Sequence, residues 1–189
     1  MDTTLIVILV VLALVGYFLI SLYNSLINAK NRVENSFAGI DVQLVKRYDL
    51  IPNLVAMCEK YMKHERETLL KVTEMRAKAI AGNLSDNQKV ALDNQISGAL
   101  ADIKVAVENY PDLKASQNFL HLQASLNEVE EQLSAARRAF NAMVTEYNNR
   151  VEMFPSSIMA SSMNLKTRVW FEAPEVKKGD VSVKELFDN

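Results

Sequence analysis

The apolar residues of this chain form one uninterrupted run near the N-terminus, followed by four stripes at helical spacing. The run, LIVILVVLALVGYFLISL, extends from Leu5 to Leu22 without a charge. As a helix it would be about 27 Å long, enough to cross a thin hydrocarbon core. A cleaved signal peptide is the alternative, but no Lys or Arg precedes the run and no A-x-A-like site follows it. The pattern therefore predicts an uncleaved membrane helix.

The first stripe beyond the membrane run has members three, four or seven residues apart, which is typical of one face of a packed helix. Its members are Leu26, Val33, Phe37, Ile40 and Leu44. No proline separates this stripe from the membrane run. One long helix is therefore predicted from inside the bilayer to about Tyr48.

The stretch KRYDLIPNLV, residues 46–55, interrupts this pattern, and it could be either a site or a corner between helices. Asp49 would serve as an N-cap, and Pro52 would fall in the first turn of a second helix. Arg47 would then lie at the C-terminal end of the first helix, where a cation is favourable. The stretch is thus predicted to be a corner, and Asp49→Ala to cost about 1 kcal/mol.

Three further stripes predict three more helices. The second stripe comprises Leu54, Cys58, Tyr61, Leu69, Val72, Met75 and Ala79. The third helix opens with a capping box at Ser85 and Gln88, after a left-handed Gly82. Its stripe comprises Ile96, Leu100, Ile103, Val107 and Tyr110. The fourth helix is predicted to run unbroken from Leu113 to Pro155. Its stripe comprises Phe119, Leu122, Leu126, Val129, Leu133, Ala136, Phe140, Met143, Tyr147, Val151 and Phe154.

Helices that each have one apolar face and are joined by short connections pack most simply as an up-down bundle. The predicted fold is therefore all-α, with a transmembrane helix continuous with an up-down four-helix bundle of coiled-coil-like packing. Three parts are expected: a transmembrane anchor at 1–24, the bundle at 25–154, and a C-terminal short helix and tail at 155–189. The short helix is placed near Ser157–Met163, and a short extended piece within TRVWFE.

Composition and charge exclude several classes of function. The net charge is −2, from 21 Lys and Arg against 23 Asp and Glu, so nucleic acid has no basic surface to bind. Cys58 is the single cysteine and falls on a core stripe, as filler. His64 lacks the second histidine of a zinc protease motif, because Thr68 stands at that position. We predict no catalytic, cofactor-binding or metal-binding residues, and no cofactor.

The distribution of positive charge suggests an orientation for the membrane helix. No Lys or Arg lies before the apolar run, whereas Lys30 and Arg32 lie just after it. By the positive-inside rule the N-terminus is outside and the bundle is cytoplasmic. The predicted location is a bacterial inner (plasma) membrane, crossed once.

Four blocks of the sequence resemble the LemA family in order and spacing. They are RYDLIPNLV, KHERETLLKVTEMRA, YPDLKASQNFLHLQASL and ARRAFNAMVTEYNNRVEMFPS. The resemblance covers roughly residues 20–172 and departs in the tail, VKKGDVSVKELFDN. It implies a helical bundle anchored in a bacterial membrane and no established enzyme activity. Members of the family are associated with membrane organisation, including magnetosome formation, and with envelope proteases and stress responses.

Two main hypotheses for function follow, and an enzyme is the third. The first is a membrane-anchored scaffold that self-associates or organises the membrane, with lipid and a homo-oligomer as partners. The second is an adaptor or regulator of an envelope membrane protease or stress-response enzyme, docking through residues 174–189. Asn141 and Asn148 border the core stripe of the fourth helix. For the scaffold they are predicted to fix register between protomers, so that their replacement weakens assembly but not folding.

Overall fold

The computed structural model describes residues 2–82 and 84–171, and this part of the chain is helical without strands. Its elements are α1 (Thr3–Tyr61), α2 (Arg66–Ile80), α3 (Asp86–Val107), α4 (Pro111–Lys114), α5 (Gln117–Glu152) and α6 (Ser156–Ser162). The all-α prediction and the long apolar N-terminal helix are confirmed. The predicted tail after residue 171 lies outside the described residues.

Helix α1 is much longer than predicted, because the corner at residues 46–55 does not exist. The helix continues through Asp49 and Pro52 to Tyr61, over 59 residues and about 88 Å. Asp49 is an exposed residue inside the helix, so its predicted role as an N-cap is wrong. The core stripe also continues, through Arg47, Ile51, Leu54 and Cys58. The division of the chain at residue 24 stays a prediction, since α1 passes through it without a break.

A hydrogen bond from a neighbouring helix explains how α1 accommodates a proline. Pro52 has no N–H, so the carbonyl of Tyr48, four residues earlier, loses its usual intrahelical donor. The Nε of Arg76 in α2 donates to that carbonyl at 2.7 Å. The bond lost within α1 is thus replaced by a bond that also joins α2 to α1.

The actual turn between the first two bundle helices is at residues 62–65. Met62 is buried there, whereas Tyr61 is 41% exposed, so the prediction of Tyr61 as a core residue is wrong. The stripe was predicted for one continuous helix, but α1 ends at Tyr61 and the loop follows. Met62 is therefore the buried residue after Cys58, in place of Tyr61. Glu65 accepts a hydrogen bond from the Tyr110 hydroxyl at 2.8 Å, which joins this turn to the end of α3.

The later helix boundaries are partly as predicted. Gly82 has a φ of 85°, and Ser85 and Gln88 form the expected capping box at the start of α3. The fourth helix is not continuous from Leu113: a short α4 ends at Lys114, and α5 begins after Ser116, whose backbone is extended. Phe154, predicted as a core position of this helix, is 80% exposed, because α5 already ends at Glu152. Helix α6 lies where the short C-terminal helix was predicted.

Contacts between helices show that α1, α2, α3 and α5 alternate in direction around one hydrophobic core. Along α1 and α5, Arg32 pairs with Glu146 and Lys46 with Gln132, so these two helices are antiparallel. Phe37 and Phe140 meet edge to face between them, with ring centroids 5.5 Å apart. Helix α3 runs parallel to α1, because Asp41 pairs with Lys89 and Arg47 with Asp93.

The bond between Arg76 and Tyr48 predicts an energetic coupling to Pro52. Arg76→Met should lower the free energy of unfolding by about 1–3 kcal/mol, because the Tyr48 carbonyl loses its donor. In a Pro52→Ala background the new N–H at position 52 can supply the bond, so the loss should be smaller, with a coupling of roughly 1 kcal/mol. Denaturant unfolding followed by circular dichroism measures both, with Arg66→Met as the control on α2. An equal loss in both backgrounds would contradict this account of the proline.

Candidate functional site

The stretch that the sequence marked as unusual lies at the centre of the bundle, where Arg47 is only 5% exposed. Its Nη1 donates to Oδ1 of Asp93 at 2.9 Å and to Oγ of Ser97 at 2.8 Å, both on α3. Its Nη2 lies 3.0 Å from Oε2 of Glu130 on α5. One guanidinium from α1 therefore bonds to two other helices.

Arg137 of α5 completes this set. Its Nη2 donates to the second carboxylate oxygen of Asp93, a residue with 0% exposure. The Arg137 guanidinium also lies over the Phe171 ring, 4.7 Å from its centroid. We call Arg47, Asp93, Ser97, Glu130 and Arg137 the ion cluster. It contains two cations and two anions, so its formal charge is balanced.

The ion cluster is arranged to hold helices together. Both oxygens of Asp93 accept bonds from guanidinium groups, which leaves no open face on the carboxylate for a substrate. Nearby, burial and then the Asp93 charge raise the pKa of the Tyr48 hydroxyl far above its ordinary value. The ion pairs neutralise the buried charges, and the raised pKa keeps the Tyr48 hydroxyl uncharged, as a low-dielectric interior requires.

The single cysteine and the two histidines do not form a catalytic arrangement. Cys58 is fully buried, as its stripe predicted, and burial raises the pKa of its thiol to about 11, with Glu65 adding to the shift. The thiol is therefore almost entirely protonated at neutral pH. His64 and His121 are both exposed. Within residues 2–82 and 84–171, no three His, Cys, Asp or Glu side chains come together as metal ligands.

Sequence reasoning missed the ion cluster, although three of its charged residues stand at core spacing in the sequence. Arg47 follows Leu44 by three residues and precedes Ile51 by four, which is a core position of α1. Asp93 precedes Ile96 by three residues in the same way, and Arg137 lies three before Phe140. A charged residue at a core position of three different helices was the available indication. In the sequence, however, Arg47 fits the C-terminal end of a helix before Pro52 equally well.

A groove of about 260 Å³ opens beside the ion cluster, between α3 and α5. Arg47 and Glu130 lie at its edge, together with Lys104, Glu108 and Lys114. Its apolar lining includes Leu54, Leu100, Ile103, Val107, Phe119 and Leu126. The groove thus has an apolar floor and a charged rim.

Asn141 and Asn148 hold the C-terminal segment, Leu165–Phe171, against α5. The side-chain amide of Asn148 donates to the carbonyl of Arg168 at 2.9 Å and accepts from its N–H at 2.8 Å. Asn141 forms the same pair with Phe171, at 3.0 and 2.7 Å. The hydroxyl of Tyr147 donates to the carbonyl of Lys166 at 3.0 Å.

The spacing of these asparagines matches an extended chain. Seven residues of helix advance about 10.5 Å, and three residues of extended backbone advance about 10 Å. Asn141 and Asn148 therefore contact Phe171 and Arg168 in register, as a neighbouring strand would. Both asparagines thus bond to the C-terminal segment of their own chain, and their role in fixing register between protomers stays a prediction.

Comparison with known proteins places these features in a family. The model of the LemA family matches residues 36–184. Protein LemA of Metamycoplasma hominis is 27% identical over 163 residues, covering 86% of this chain and 74% of its own length. Magnetosome protein MamQ of Magnetospirillum gryphiswaldense is 22% identical over 200 residues, covering 92% and 73%. Magnetosome protein MamQ 2 of Paramagnetospirillum magneticum is 19% identical over 204 residues, covering 94% and 75%.

Removing the acid at the centre of the ion cluster should destabilise the bundle strongly. Asp93→Ala leaves two buried guanidinium groups without their shared carboxylate, and we expect a loss of about 3–5 kcal/mol in unfolding free energy. Replacing Asp93 together with both arginines, as Arg47→Met, Asp93→Leu and Arg137→Met, should cost less because the remaining charge, Glu130, is partly exposed to solvent. Denaturant unfolding of the detergent-solubilised protein compares the two. A triple variant as unstable as Asp93→Ala would argue against charge pairing as the cause.

Removing the paired asparagines should release the C-terminal segment and leave the bundle folded. In Asn141→Ala with Asn148→Ala, the backbone of Arg168 and Phe171 loses its partners. Trypsin should then cut after Lys166 and Arg168 several times faster, and the emission of Trp170, the single tryptophan, should shift to the red. Asn149→Ala, an exposed position on the same helix, is the control. Unchanged cleavage with reduced self-association would support the assembly role.

Proposed function

The chain belongs to the LemA family, and from its architecture we propose that it is a membrane-anchored helical scaffold that self-associates and organises the membrane. The proposal assigns no catalysis to it. The observation that carries the proposal is the continuity of α1 from the apolar run to Tyr61. Because one helix is both the anchor and a wall of the bundle, the bundle is held at a fixed position relative to the membrane.

A rigid rod on a membrane is suited to lateral packing. Neighbours are confined to two dimensions and share one orientation, so even weak side contacts act at a high effective concentration. Exposed apolar residues on α1, Val42 and Val45, supply one surface for such contacts. The similarity to proteins named for the magnetosome supports a role at a membrane, since that name refers to a membrane-enclosed compartment.

We further propose that the membrane is a bacterial inner (plasma) membrane, crossed once with the N-terminus outside and the bundle in the cytoplasm. Helix α1 is long and apolar enough to cross a membrane, and its apolar part is not covered by other elements of the described structure. Lys30 and Arg32, which lie just beyond the apolar run, support this orientation.

An adaptor for an envelope protease or stress-response enzyme is the second candidate. The observation that favours it is the groove between α3 and α5, which can accept an amphipathic helix of a membrane-protein partner. Residues 174–189, which were predicted to dock the partner, lie outside the described residues. A photo-crosslinker at Asn127, in the groove, would distinguish the two functions by capturing either another protein or a second copy of this chain.

Self-association should appear as a mass above that of one chain. We expect the full-length protein in mild detergent to scatter light as a multiple of 21.3 kDa after subtraction of the detergent. Val42→Lys with Val45→Lys should shift the mass toward one chain, because exposed apolar contacts are replaced by repelling charges. Leu70→Lys, at an exposed apolar position on α2, is the control. A monomer at every concentration would contradict the scaffold proposal.

A further inference from the structure

The end of the bundle nearest the membrane run exposes an apolar patch that the proposed function does not use. The patch consists of Met153, Phe154 and Ile158, which are 62%, 80% and 68% exposed. These residues follow the last turn of α5 or lie in α6. Large apolar side chains grouped at such exposure mark a contact surface.

The register of α5 against α1 fixes the depth of this patch. Arg150 of α5 donates hydrogen bonds to the hydroxyl and the carbonyl of Ser25 on α1. Because the helices are antiparallel and Phe140 lies beside Phe37, Met153 and Phe154 are closer to the apolar run, at the level of residues 21–24. That level is the end of the apolar run, where the hydrocarbon core meets the headgroups.

Positive charge is concentrated at the same end of the molecule. Five cations lie on the elements just above the patch: Lys30, Arg32, Arg150, Lys166 and Arg168. Three acids lie among them: Glu34, Glu146 and Glu152. This end therefore carries a formal charge of about +2, although the whole chain carries −2. An anionic membrane surface is attracted to such an end and not to the rest of the protein.

A polar groove of about 380 Å³ lies between these charges and the membrane run. Arg32 and Arg150 share the single carboxylate of Glu146, at 3.2 and 2.7 Å, so one positive charge between them is not neutralised. The groove is also lined by Tyr17, Ser21, Asn24 and Asn28 of α1. Amide and hydroxyl donors beside an arginine pair are the groups that bind a phosphate.

We propose that the membrane-proximal end of the bundle is a second membrane-binding surface. Met153, Phe154 and Ile158 insert into the interface, and the phosphate of an anionic lipid headgroup binds between Arg32 and Arg150. The occupant is lipid because the patch continues from the membrane-spanning part of α1 at the same depth. The inference rests on α1 spanning the membrane, and it does not require self-association.

Depth can be measured by tryptophan quenching in lipid nanodiscs that hold one full-length chain each. In a Trp170→Phe background, Phe154→Trp should lose most of its emission when the acyl chains carry bromine. Val105→Trp on α3, another exposed apolar position, should lose none, since it lies about 54 Å farther along the bundle. Circular dichroism confirms that each variant is folded. Equal emission with and without bromine at position 154 would overturn the proposal.

The preference for an anionic lipid headgroup is measured with the same tryptophan at position 154. Brominated phosphatidylglycerol should quench it more than brominated phosphatidylcholine at the same mole fraction. Arg32→Gln should reduce that preference roughly fivefold, the contribution of one basic residue beside an anionic surface. Arg138→Gln makes the same change in net charge farther along α5 and should leave the preference unchanged. Equal loss in both variants, or equal quenching by both lipids, would overturn the headgroup site.

A second copy of the chain is the competing occupant of the patch. If the tryptophan at position 154 becomes buried only in nanodiscs that hold two chains, the patch is a protein interface and the proposal is wrong. Since the depth measurement uses one chain per disc, it can succeed even if light scattering finds only monomers. The two proposals therefore fail independently.

Discussion

The carboxylate of Asp93 constrains the whole bundle. It has no exposure to solvent, and it accepts bonds from Arg47 of α1 and Arg137 of α5 while belonging to α3. A buried charge without a partner costs several kcal/mol, so all three helices must keep one relative position. A slip of one helical turn, about 5.4 Å, would separate the pairs. Hydrophobic contacts alone would tolerate such a slip better, because one apolar side chain can replace another at moderate cost. The ion cluster therefore supplies specificity to a core that is otherwise apolar.

The position of the ion cluster has consequences for the anchor. Arg47 lies on the same helix as the apolar run, so α3 and α5 are connected to that run through a single continuous α1. That continuity depends on a second interhelical bond, from Arg76 to the carbonyl that Pro52 leaves without a donor. With α1 unbroken, the antiparallel α5 returns its C-terminal end to the level where the apolar run of α1 ends. The anchor, the ion cluster and the membrane-proximal patch are thus parts of one rigid arrangement.

The C-terminal segment extends this arrangement along the outside of α5. Asn141 and Asn148 bind its backbone, and the Phe171 side chain is buried against the core. Trp170 adds a hydrogen bond to Thr145, and Arg168 adds an ion pair with Glu34. Arg137 connects the segment to the ion cluster, because its guanidinium contacts both Asp93 and the Phe171 ring. Displacing the segment would uncover Arg137.

The sequence by itself determined the helical class, the membrane run, the stripes of α1, α3 and α5, and the capping box at Ser85. These features are local: they depend on periodicity, on an uncharged run and on cap chemistry within a few residues. It could not place the turn after Tyr61, the partners of Arg47 or the role of Asn141 and Asn148. Pro52 and Asp49 have strong local preferences for a helix start, and only the donor on α2 makes a continuous helix acceptable. Likewise, a border asparagine has the same sequence neighbours whether it faces water, another protomer or its own C-terminal segment. Only the tertiary structure decided these points, because each depends on a hydrogen-bond partner distant in the chain.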